Sequence, residues 1–182
     1  DAINQVHNRG TAFPGAQTMT GTRIFIKPDE QTMTLDSGGD DVTIMLTDSS
    51  GNQSAVTTLE TVMTSSLYGT SGSKVQAANG PWTITEVAAQ IEDWLQANGA
   101  SSATANIGSD GKFAINLNST SLYLSFRDES ATANGSTAED AVISFNASTT
   151  TSGGANTDTA TDETVSGFSY FFGLNDFFVD SR

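Results

Sequence analysis

The chain has 182 residues, with seven Lys+Arg against twenty-one Asp+Glu and a net charge of −14. A surface this acidic repels phosphate backbones and anionic lipid headgroups, which argues against nucleic acid and membrane as partners. The lack of cysteine removes disulfides, thiolate metal sites and Cys nucleophiles together. At about 150 residues per domain, the length gives one domain, or one domain plus a small satellite. No apolar run approaches the ~20 residues that cross a bilayer, and 22 Ser with 26 Thr occupy much of the sequence.

In chain order, Asp1–Gly10 places Ile3 and Val6 at helical spacing ahead of Gly10, the pattern of a helix end. The single histidine, His7, falls there and reads as structural, since no local motif supplies an acid and a nucleophile beside it. A Gly/Pro/Thr loop follows, and then a short strand Arg23–Lys27 closed by Pro28. Val42–Thr47 alternates Val42, Ile44 and Leu46 on one face. With the turn Asp48–Asn52 and a Thr/Val-rich strand through about Met63, it predicts a hairpin. Residues 69–80 read as a Gly/Ser-rich loop.

The clearest helix spans about 83–98. Thr83 and Glu86 have capping-box spacing, and Ile84, Val87, Ala88, Ile91, Trp94 and Leu95 form one apolar stripe ended by Asn98-Gly99. A hairpin Ala103–Ile107/Lys112–Leu117 follows across the Ser109–Gly111 turn, with Phe113, Ile115 and Leu117 on one face. Leu122, Leu124 and Phe126 suggest a third strand continuing that pattern, and Ala141–Ala147 a last one. The fold class expected is therefore α+β, mainly β: antiparallel hairpins with one amphipathic helix packed on them.

Residues 148–164 contain no large apolar side chain and read as a flexible Ser/Thr/Gly loop. The tail reverses this composition. Phe168, Tyr170, Phe171, Phe172, Phe177 and Phe178 are six of the fifteen aromatic residues, gathered within eleven positions. Such a cluster needs cover, and the chain's own start is the candidate. The division is then an N-terminal root segment 1–30, a β-rich outer domain 31–147 with one helix, the loop 148–164, and an aromatic C-terminal root 165–182.

Catalytic chemistry finds little footing. The acidic turns Asp36–Asp41, Asp48–Asn52 and Ser109–Gly111 lack the spacing that surrounds a calcium ion with oxygens, and Asp and Gly are ordinary turn residues. A hydrolase reading would use Asp/Glu pairs such as Glu92/Asp93 or Asp40/Asp41, and neighbours on a helix point about 100° apart. Four Asn-x-Ser/Thr triplets occur, at Asn52, Asn118, Asn134 and Asn146. No catalytic, cofactor-binding or metal residue is assigned, no cofactor is expected, and the chain reads as not an enzyme. A different class, a secreted carbohydrate-binding or adhesin-like β module, would need Trp82 and Tyr123 exposed as a stacking platform.

The tail Gly167-Phe-Ser-Tyr-Phe-Phe-Gly-Leu-Asn-Asp-Phe-Phe-Val179 resembles the re-entry segment of bacterial flagellar hook-associated proteins of the hook–filament junction. The start, Ala2-Ile-Asn-Gln-Val-His-Asn-Arg-Gly10, is similar to the helix end that precedes the family's outer domains, and helix 83–97 with Thr104–Phe113 to its helix-then-hairpin units. The family's long terminal helices are not in this sequence, so the resemblance implies a central, outer part whose ends run into a helical core. It further implies an extracellular structural role in the flagellum, after secretion through the flagellar export apparatus. The implied partners are neighbouring copies in a ring, hook protein, the second junction protein and an export chaperone for the full-length chain. The isolated fragment is expected to be a monomer.

Overall fold

The structure is a computed structural model that describes residues 16–36, 41–68, 76–127, 141–147 and 161–174. The expectations at His7, Asp40, Asn134, Phe177 and Phe178, and the greater part of loop 148–164, lie outside the described residues. The architecture is mainly β, as expected, but among the described residues it is built as three small antiparallel sheets instead of one. The first joins β1 (Thr18–Ile24), β7 (Lys112–Asn116) and β6 (Thr104–Ile107) in that order. The second runs β10 (Glu163–Ser166), β9 (Val142–Asn146), β2 (Thr32–Leu35) and β5 (Trp82–Thr83). The third holds β4 (Gln53–Thr58), β3 (Thr43–Asp48) and β8 (Leu122–Arg127).

Several strands differ from the sequence reading. The first begins earlier and ends at Ile24 instead of Lys27. β8 does not extend the β6–β7 hairpin; it pairs with β3, matching Phe126 to Ile44 and Leu124 to Leu46. β2 and β10 carry two and one buried apolar side chains respectively, too faint a pattern to stand out. Glu163 and Thr164, read as the end of a loop, are the first half of β10, held opposite Phe145 and Ser144.

The described residues hold three helices, where the sequence reading placed one over the same stretch. α1 (Leu59–Thr64) replaces the expected end of the second hairpin strand. Thr61, Val62 and Thr64 are β-branched and favour strands, but local groups satisfy a helix start. Thr58 Oγ1 accepts from Thr61 N (3.3 Å), and Asp41 accepts from Glu60 N (3.2 Å). At the other end, with its amide nitrogen turned toward α1, buried Gln90 donates to Val62 O at 2.6 Å. α2 (Ile84–Ala97) carries the full capping box: Thr83 Oγ1 accepts from Glu86 N, and Glu86 Oε2 from Thr83 N. Every residue of its predicted stripe is buried, against β6, β5 and α1. α3 (Phe168–Phe172) opens after Gly167 and closes at Gly173.

The buried side chains form one continuous cluster that includes Phe25, Ile44, Trp94, Ile143 and Phe172. Stretches 16–30, 31–147 and 165–174 therefore share a single core. Trp94 is 3% exposed within it, so Trp94→Ala should lower unfolding free energy by roughly 3–5 kcal/mol in denaturant titration. A loss below about 1 kcal/mol would contradict the burial of the helix stripe.

Candidate functional site

The feature that the fold builds most carefully is the joint between its first strand and its last helix. In α3, positions 168, 171 and 172 fall on one helical face, which is buried, while Tyr170 points outward and is 69% exposed. The three buried rings meet four others: Phe25 just after β1, Phe113 on β7, Phe126 on β8 and Phe145 on β9. Centroid separations across this seven-ring cluster run from 4.6 Å (Phe168–Phe172) to 6.5 Å (Phe113–Phe168), within the range in which ring edges and faces attract.

Backbone contacts lock the same joint. Thr22 N donates to Gly173 O at 3.3 Å. Gly21 lies beneath the carbonyl of Phe172 so closely that any Cβ would collide with that oxygen. Gly173 has φ 70°, a left-handed conformation suited to glycine, and a side chain there would strike Thr22 and Arg23. The β1–α3 joint therefore depends on two positions that have no side chain.

Arg23 covers the rim. Its guanidinium lies 4.5 Å from the Phe145 ring centre, 4.6 Å from Phe171 and 5.5 Å from Phe25. Its Nη2 donates to Glu163 Oε2 at 2.6 Å. One cation thus ties β1, β9, β10 and α3 together, through ring faces more than through charge, since the Glu163 side chain is 49% exposed and water screens the pair. With its plane and charge both engaged, Arg23 is a bolt in the structure and not an anion receptor.

The acids that could have suggested chemistry hold backbone instead. Buried Asp41 accepts from Val42 N at 2.7 Å in addition to Glu60 N. Glu92 Oε2 accepts from Ala105 N at 2.7 Å, so it belongs to the β6 margin and forms no pair with Asp93 across a substrate. Asp110 accepts from Lys112 N (3.1 Å), and Asp162 from Ala147 N (2.7 Å). Asp48 closes the β3–β4 turn, accepting from Ser50 N, Asn52 N and Asn52 Nδ2. The Asn52 amide, followed by the backbone bonds, holds the Asp48 carboxyl below its ordinary range. No group of three or more His, Asp or Glu among the described residues could hold a metal ion.

Trp82 is fully buried, with Nε1 donating to Ala77 O at 2.8 Å, so it cannot pair with Tyr123 as a stacking platform. At the Asn-x-Ser/Thr triplets, Asn146 is buried, Asn118 Nδ2 donates to Ser102 O, and Asn52 is engaged by Asp48. No helix among the described residues is long and apolar enough to cross a membrane. The Arg23 bolt and the Gly21 contact were not visible in the sequence. The one available signal was the aromatic density of the tail, which called for cover without naming what supplies it.

Gly21→Ala should cost roughly 1–3 kcal/mol by forcing β1 and α3 apart, and a neutral result in denaturant titration would show that helix and strand do not touch. Asn52→Ala should return the Asp48 pKa toward the ordinary carboxylate range in an NMR titration. A depressed folded-state pKa contributes stability at pH above the unfolded value and loses it as pH falls through the folded one. The variant should therefore lose part of that acid-side dependence, and an unmoved Asp48 pKa would contradict the turn assignment. Compared with known protein families, curated proteins and solved structures, the chain matches none.

Proposed function

We propose that this chain is the exposed outer part of a bacterial flagellar junction subunit, a non-enzymatic structural element joining hook to filament outside the cell. The observation that carries the reading is the joint just described. Strand β1 and helix α3, the first and last elements of the described chain, lie against each other, so the chain enters and leaves the module at one root. A module rooted in this way projects from a larger scaffold and can be carried without interrupting it. The resemblance of Gly167–Val179 and Ala2–Gly10 to the re-entry and departure segments of hook-associated proteins supplies the identity of that scaffold.

The mechanism is mechanical. Force arriving along one limb of the root passes to the other across the phenylalanine cluster and Arg23, while the rest of the module packs beside its neighbours. Those lateral contacts are modest and polar, because burying many unpaired acids at an interface is costly. Acids committed to turns and caps, and a buried Trp82, favour this reading over a hydrolase or a glycan-binding module.

Antibodies raised against the folded module should label intact flagella at a single zone between hook and filament in immunogold electron microscopy. Label distributed over the cell envelope, or glycan-array binding that disappears in Tyr123→Ala, would overturn the proposal.

A further inference from the structure

The phenylalanine cluster divides along the chain. Phe25, Phe113 and Phe126 come from the earlier part, whereas Phe145, Phe168, Phe171 and Phe172 all come after residue 141. Among the described residues, the early rings do not pair with one another. Phe25 pairs with Phe145, Phe171 and Phe172, Phe113 with Phe168 and Phe172, and Phe126 with Phe168. Arg23 follows the same division. Apart from Phe25, the rings under its guanidinium are Phe145 and Phe171, and its ion-pair partner is Glu163.

The backbone shows the same dependence. β9 lies opposite every residue of β2, whereas β5 meets it only at Thr32 and Met33. Gly173 O takes Thr22 N of β1, and Val142 O takes Asp36 N after β2. The early chain does hold a local assembly, α2 packed on β5, β6 and α1. Against it stands the absence of four core rings, each 5% exposed or less in the finished fold. Emptying a single buried Phe site removes a large share of a domain's marginal stability, and four such sites together match or exceed the whole of it.

We infer that residues 142–174 act as a completion gate: the earlier chain stays unfolded until this segment is present and free, and the module then folds in one step. N-terminal parts of a protein commonly fold first as they are made. That course is closed here, because Phe25, Phe113, Phe126 and Arg23 wait for partners far along the chain, and such distant contacts reward folding only after the closure entropy has been met. A chain whose late segment is missing, or is held elsewhere, has no folded remainder. Control over this segment is control over the fold. The gate follows from the arrangement of the core and does not depend on the flagellar reading.

Thiol labelling of ribosome-bound chains tests this, since the chain has no cysteine of its own and one introduced thiol is then its only label. Val87→Cys places that thiol on the buried stripe of α2, where a local early fold would form first. The whole chain is stalled on the ribosome through a Gly/Ser linker, either short enough to keep β10 and α3 inside the exit tunnel or long enough to expose them. With the short linker, Val87→Cys should react with a maleimide as fast as Ser101→Cys, at an exposed position. With the long linker, and after release from either, it should react at least about tenfold more slowly, because a buried thiol waits for unfolding. Should Val87→Cys not fold on release, Ala105→Cys, buried on β6, reports in its place. Protection already present with the short linker would show that α2 folds without the late rings and would overturn the gate. Thiols at both positions that stay reactive with the long linker, or after release, would overturn it as well.

Discussion

Seven phenylalanine rings hold this fold together, and three of them belong to one helix of five residues. Each of the three sheets contributes to the other four: Phe113, with Phe25 just beyond β1, from the first, Phe145 from the second and Phe126 from the third. Small sheets of three and four strands have little face to bury individually. A short helix that inserts rings between all of them converts three marginal units into one core. The helix cannot be there without the bare backbone of Gly21, nor turn out of the core without Gly173, so two glycines at the rim set how closely the aromatic cluster packs.

That arrangement also explains how a chain this polar folds at all. Glu163 and Glu30 pair with Arg23 and Lys27, but many of its acids accept from backbone amides at turns, caps and sheet margins instead. Asp41, Asp48, Glu86 and Glu92 each satisfy N–H groups that secondary structure leaves over. The acidic excess therefore does structural duty as well as keeping the surface repulsive.

Much of the secondary structure was legible because it rests on local chemistry. The capping box at Thr83 and Glu86 fixed the start of α2, the stripe from Ile84 to Leu95 its buried face, and the turn at Ser109–Gly111 the β6–β7 hairpin. Strand order was not legible, because it depends on distant partners: nothing near Leu122–Phe126 says that β3 is nearer than β7. α1 was hidden by a Thr/Val composition that suits strands, and was decided by a carboxylate eighteen or nineteen residues upstream, at Asp41. The joint was half legible. The aromatic tail announced that something must cover it, whereas the glycine contact and the guanidinium over three rings exist only once β1, β9 and α3 are in place.

A common root requires β1 and α3 to be held together as firmly as the core itself. Native-state hydrogen exchange measures this directly at the Thr22 amide, whose partner is Gly173 O, and at the Phe171 amide inside α3. Both should open only with global unfolding, at the same free energy as the central amides of β9. Exchange of Thr22 and Phe171 at the rate of an exposed turn amide such as Ser50, while β9 stays protected, would mean that the last helix is a loose appendage and that the chain has no common root.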